Sequence, residues 1–142
     1  MKNYLPIPTE SEEQQALFEW KERMLGKYPE LKLLHHIPNE GKRSVSTGAR
    51  MRREGLVSGV PDIHLPVPSG TYHGLYIELK RIKHSKVTPE QEEFIAMLNK
   101  YDNFAVICYG WEEAVKVIEW YLKGATGPLY TKKIIYEGDT SV

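Results

Sequence analysis

The sequence predicts an α/β domain, a three-layer core with a central mixed sheet flanked by helices. Three observations carry that expectation. Residues 104–109, Phe-Ala-Val-Ile-Cys-Tyr, form an unbroken apolar run, as a strand covered on both faces does. Residues 74–80, Gly-Leu-Tyr-Ile-Glu-Leu-Lys, read as a strand whose apolar and polar side chains alternate between two unlike faces. Capped stretches with helical periodicity occupy 10–25, 89–101 and 111–123, so the order is helix, strand, hairpin, helix, strand, helix.

Composition narrows the class. At 142 residues the chain fits one domain with a sizeable core. Its 41% hydrophobic and 27% charged residues match a soluble globular protein rather than a disordered one. No apolar stretch reaches the length of a membrane span, and the opening MKNYLPIPTE lacks the apolar centre of a signal peptide. One cysteine, Cys108, excludes an internal disulfide and fits a reducing cytoplasm. The formal net charge of zero argues against broad electrostatic attachment to nucleic acid and leaves local contacts open. The expected division is a lead-in over 1–9, the domain over 10–124 and a tail over 125–142.

In the lead-in, Pro6 and Pro8 oppose helix. Thr9 then offers an N-cap and Glu12 completes a capping box, so a helix begins at Glu10 and stops at Gly26. One of its faces carries Glu10, Glu13, Gln14, Leu17, Trp20 and Met24, passing from carboxylates to core. Residues 31–37 read as a short strand, ended by Pro38-Asn39-Glu40-Gly41. The five histidines show no zinc-ligand spacing and read as ordinary. Residues 46–54 can form a helix capped by Thr47 and stopped by Gly55.

Two apolar segments joined by 66–70, rich in Pro, Ser and Gly, read as a hairpin over 59–80. A second capping box, Thr88 with Gln91, and Pro89 at the first helical position open the helix 89–101. Phe94, Ile95, Leu98 and Tyr101 form its expected inward stripe, and Gln91 begins it. In the last helix, Ala114, Val115, Ile118, Tyr121 and Leu122 are expected to face inward. Residues 129–136 could add a strand, paired with the same sheet or with a second subunit.

The chemistry concentrates in the hairpin. Its geometry places the start of the first strand beside the end of the second, bringing Asp62 to Glu78 and Lys80. Glu78 and Lys80 share a face with Tyr76 because strand side chains alternate. Two carboxylates and one amine suit Mg²⁺, which needs only one or two protein carboxylates beside waters and a substrate phosphate. Taken alone, the same residues fit a bland account, since Pro-Asp marks turns and Glu-x-Lys pairs recur on exposed strands. Two basic runs bracket the hairpin's acids. One is Lys42, Arg43, Arg50, Arg52 and Arg53, and the other is Lys80, Arg81, Lys83, His84 and Lys86.

Pro61-Asp62 followed by Glu78-Leu79-Lys80 resembles the PD-(D/E)xK nuclease signature. Gly59-Val60-Pro61-Asp62 and Gln91 after Thr88-Pro89-Glu90 make the chain similar to a stand-alone VRR-NUC domain of the phage type, over roughly residues 10–122. The resemblance implies a restriction-endonuclease-like fold and a Mg²⁺- or Mn²⁺-dependent endodeoxyribonuclease. It implies metal binding by Asp62, Glu78, the Leu79 carbonyl and a first-helix glutamate. Glu10, one turn before Gln14, fits that place best and Glu13 is the alternative. It gives Lys80 the attacking water and Gln91 a supporting role beside its possible service as a cap. Lys42, Arg43, Arg50, Arg52, Arg53, Arg81, Lys83 and Lys86 would hold backbone phosphates. Branched DNA, in particular a four-way junction cut by a homodimer, is the expected substrate, in a bacterial host cytoplasm if phage-encoded. A flap or fork nuclease, a non-catalytic DNA-binding module and a small-molecule metal hydrolase are the rivals.

Overall fold

A computed structural model of the chain describes residues 5–38 and 44–129. The elements run α1 (Glu10–Met24), β1 (His35–His36), α2 (Val45–Arg53), β2 (Ile63–Leu65), β3 (Leu75–Lys80), α3 (Pro89–Lys100), β4 (Phe104–Tyr109) and α4 (Trp111–Leu122). The sheet has the order β1-β2-β3-β4. The first two pairings are antiparallel and β3 pairs with β4 in parallel, so the sheet is mixed. α1 and α4 cover one face and α3 the other, giving the three layers expected.

Each layer follows from the residues. Leu75, Ile77 and Leu79 project from β3 into the main core, where they meet Leu17 of α1 and Val117, Ile118 and Tyr121 of α4. The opposite face of β4 gives Ala105 and Ile107 to a smaller cluster with Ile95 of α3. Cys108 is fully buried in the main core, and burial holds its thiol pKa well above the ordinary value. Both capping boxes form, at Thr9 with Glu12 and at Thr88 with Gln91. Among the described residues, no helix is long and apolar enough to cross a membrane.

Several local expectations are corrected. Residues 31–37 do not make one strand. Pro29–Leu33 form a 3-10 turn, and only His35–His36 pair with β2. In a 3-10 turn residues three apart eclipse, so Leu31 and Leu34 enter the core together while Leu33 is exposed. α2 begins one residue earlier than expected, because Ser44 rather than Thr47 is its N-cap, with Ser44 Oγ accepting from the Thr47 N–H at 3.1 Å. On α3, Tyr101 lies just past the helix end and is exposed instead of inward. On α4 the fully buried residues are Ala114, Val117, Ile118 and Tyr121, with Val115 and Leu122 packing at the margin. Asn39, Lys42, Arg43 and the tail from 130 onward lie outside the described residues.

Candidate active site

β2 and β3 position the acids. Ile63 pairs with Ile77, so the residue before β2, Asp62, lies level with Glu78 on β3. The Asp62 main-chain carbonyl accepts from the Ile37 N–H at 2.6 Å, and the His36 ring nitrogen Nδ1 lies 3.0 Å from the same oxygen. The Asp62 side chain is fixed from the other direction, Oδ2 accepting from the Leu79 N–H at 3.0 Å. β2 has ended there, so the carboxylate takes the place a strand neighbour would fill.

Gly59 sets the approach to this corner. Its φ is +90°, which favours glycine, and a Cβ would collide with the Glu90 main-chain carbonyl in the first turn of α3. The segment 59–62 is therefore wedged against the start of α3, and Gln91 arrives beside β3. Gln91 serves two purposes at once. Its Oε1 accepts from the Thr88 N–H at 2.9 Å, completing the cap, while its Nε2 donates to Glu78 Oε1 at 3.1 Å.

Glu78 and Lys80 are 3% and 6% exposed, respectively. Lys80 Nζ lies 3.6 Å from Glu78 Oε1 and 3.9 Å from Glu10 Oε1. Burial pushes the Glu78 pKa up to about 9. The Asp62 carboxyl beside it pushes in the same direction, by its charge and by a hydrogen bond that needs a proton on one of the pair. Lys80 pulls the other way without prevailing. Glu78 Oε2 is buried and meets no donor among the described residues.

A cleft of about 480 Å³ opens over these groups and is lined by Glu10, Asp62, Glu78, Lys80 and Gln91 together with the 58–60 backbone segment. A smaller polar cavity of about 280 Å³ adjoins it, sharing Glu10 and Asp62 and adding Gln14, His36 and Leu79. The donor set fits a hard divalent cation. An orphaned carboxylate oxygen and a neighbouring carboxyl that competes with it for a proton both suit Mg²⁺ or Mn²⁺. Among the described residues, no three His, Cys, Asp or Glu side chains converge as a ready metal cage. Two carboxylates plus a main-chain carbonyl and substrate oxygens would meet Mg²⁺'s demand for few protein ligands.

The two first-helix acids part company here. Glu10 is half-exposed and faces Lys80 across the cleft. Glu13 is buried, and its Oε2 accepts from the Trp111 N–H at 2.6 Å, capping α4, whose own N-cap Gly110 has no side chain to do so.

Of the described basic residues in the two runs, only Lys80 lines the cleft. Arg50, Arg52 and Arg53 are exposed on α2, with Arg50 3.9 Å from Glu54, and Lys83 and Lys86 are exposed in the loop after β3. Arg81 is half-buried and donates from Nη2 to the Ile7 carbonyl at 2.9 Å, which ties the lead-in to the end of β3. Sequence reasoning missed His36, which lines the smaller cavity because β1 pairs it with Ile63, next to Asp62. It also missed Ser58, in the cleft wall. Neither carries a sequence signal of its own, since both are brought in by tertiary pairing.

Comparison with known proteins follows the same lines. No curated protein gives a significant match. A solved structure described as a VRR_NUC domain protein superposes with a TM-score of 0.74 at 32% identity, covering 91% of this chain and all of its own. The VRR-NUC domain family matches residues 9–112, which include every cleft residue named above. The chain belongs to the VRR-NUC family, a nuclease-type domain whose substrate is DNA.

Proposed function

We propose that the protein is a Mg²⁺- or Mn²⁺-dependent, structure-selective endonuclease that hydrolyses phosphodiester bonds at branched DNA. The observation that carries this is the convergence of Asp62, Glu78, Lys80 and Gln91 at one end of the β2–β3 pair. Asp62, Glu78 and the Leu79 carbonyl would hold the cation. When bound, it neutralises charge on the phosphate and acidifies water.

The chain's own groups have distinct tasks. Gln91 Nε2 occupies Glu78 Oε1, which leaves Oε2, without a donor among the described residues, as the oxygen that would hold the cation. The Leu79 N–H fixes the rotamer of Asp62. Lys80 Nζ orients the attacking water, whose oxygen bonds to phosphorus as the departing sugar oxygen leaves with a proton. Glu10, 3.9 Å from that ammonium, holds it in place from the cleft's outer wall. Arg50, Arg52, Arg53, Lys83 and Lys86 contact backbone phosphates without reading sequence. Lys42 and Arg43 extend that set, and Arg81 contributes through the lead-in it anchors. A homodimer would set two such sites on a four-way junction for paired, symmetric nicks. The phage type and a bacterial host cytoplasm belong to this reading through the family resemblance.

Cleavage of matched linear duplex, flap, fork and four-way junction DNA tests it, with Mg²⁺ and with Mn²⁺. Wild type is expected to nick the junction in symmetric pairs, and Asp62→Ala and Lys80→Ala to lose that activity. Cutting confined to flaps or forks would keep the chemistry and replace the substrate. DNA binding without cutting in either metal would make the protein a binding module.

A further inference from the structure

α3 carries more apolar surface than the sheet covers. Ile95 packs on Ala105 and Ile107 of β4. A second stripe, Phe94, Met97, Leu98 and Tyr101, recurs at helical spacing along another flank. It forms one wall of a cavity of about 430 Å³, and Val57 stands on the other side. Val57, Met97 and Tyr101 are 52%, 50% and 62% exposed. The cavity adjoins the catalytic cleft, since Ser58 and Glu90 line both. From Gln91 at the cleft to Tyr101 at the far end is ten residues of α3, about 15 Å.

The chemistry of the walls selects an occupant. Glu90 and Glu93 line the cavity with no basic residue in its described lining, which disfavours a sugar-phosphate backbone inside it, whereas the cleft that Glu90 also borders has Lys80. At the far end, Lys100 Nζ sits 5.9 Å from the centre of the Tyr101 ring and offers a phosphate partner outside the apolar walls. The ligand that fits is flat, apolar on its faces, rich in donors at its edge and attached to a phosphate. The volume is that of a small-ligand site, whereas a stable protein interface spreads over about 800 Å² per partner.

We propose that this groove stacks an unpaired nucleobase belonging to the strand whose phosphate lies in the cleft. A base inside an intact duplex cannot present its face, so the groove favours DNA that has an unpaired base beside the cut or frees one at its branch point. Tyr101 is the stacking platform, and Met97 and Phe94 close the walls. The inference rests on the nuclease reading for the phosphate in the cleft, and its test reads binding separately from cutting.

2-Aminopurine, a fluorescent base quenched by stacking, is placed in turn at each position flanking the branch point of flap and junction DNA. Binding is measured with Ca²⁺ in place of Mg²⁺ for wild type, Tyr101→Ser and Met97→Lys. One position is expected to quench on wild type and to lose most of that quench on both variants. In Mg²⁺, Tyr101→Ser should raise KM about tenfold, as expected for the loss of one stacked base, with kcat within about twofold. An abasic residue at the quenched position should erase the difference between wild type and variant. Absence of any position-specific quench, or equal quench on all three proteins, overturns the inference. A wild-type dimer that Tyr101→Ser converts to monomer in sedimentation assigns the groove to a second copy, which also overturns it. If no DNA is cut in any metal, the nuclease reading fails, while the quench and its dependence on Tyr101 still decide the groove.

Discussion

The two faces of β3 are both buried, yet their chemistry is opposite. Leu75, Ile77 and Leu79 look into the main core and join its cluster of buried hydrophobic side chains. Glu78 and Lys80 look the other way and are almost equally hidden, but they bring a carboxyl and an ammonium out of water. The first face stabilises the fold by about 2 kcal/mol for each fully buried side chain. The second costs stability, as the raised Glu78 pKa records. A single strand thus couples a dry face that fixes position to a polar face that is buried at a cost. The rigidity of the first lets the second hold charges where their own preferences would scatter them.

The sharpest way to break that division is Lys80→Ala. It should reduce cleavage by about 10²–10⁴-fold, the usual contribution of a positioned proton-handling group, with little loss in melting temperature. Single-turnover cleavage with parallel thermal denaturation checks it. Ile77→Ala is the mirror experiment. It should cost about 2–5 kcal/mol in urea denaturation, while the protein that remains folded cuts at nearly the wild-type rate. A large loss of kcat in folded Ile77→Ala would show that the two faces are not separable.

Glu78→Gln sharpens the comparison through pH. In the metal-free protein the native state keeps the Glu78 proton up to about pH 9, whereas the unfolded chain releases it near 4.5. Between those values the native state binds more protons, so raising the pH favours unfolding. Wild type in EDTA should lose stability progressively across that window, and Glu78→Gln should lack that part of the decline. At neutral pH, Mg²⁺ binding to wild type should release protons, measured by calorimetry in buffers of different ionisation enthalpy.

The smallest effect separates the two capping boxes. Glu12→Ala and Gln91→Ala each remove a capping partner and should each cost about 1 kcal/mol. Only Gln91→Ala should also lower cleavage and weaken Mg²⁺ binding, because only Gln91 has a second contact, on Glu78. Equal activity in the two variants would reduce Gln91 to a cap.

What was legible in the sequence follows from this organisation. The Thr9 and Thr88 boxes, the alternation of β3 and the apolar run of β4 are local signals, and each forms as read. The level of Asp62 with Glu78 was also legible, because hairpin pairing is set by short-range geometry. The stretch 31–37 was misread because Leu31, Leu33 and Leu34 look alike in sequence, and only the eclipsing of a 3-10 turn sorts them. Glu10 and Glu13 share a helix face, so periodicity cannot part them. Their fates diverge through α4, a distant element that claims only one. His36 and Ser58 reach the site through partners remote in sequence, and no local pattern announces that.

The cap that Glu13 places on α4 has a consequence for the order of synthesis. The two partners are 98 residues apart, so the first helix finds its anchor only when nearly the whole domain has been made. A nascent chain that has not yet delivered Trp111 leaves Glu13 without that partner and α1 without α4 to pack on. Glu10, one turn away, is therefore set against Lys80 late, after the hairpin carrying Asp62 and Glu78 is already translated. A centre whose first-helix acid is placed through α4 is incomplete until α4 has been made, and chains ending before 111, which also lack the core residues Val117, Ile118 and Tyr121, should neither fold stably nor carry a competent cleft.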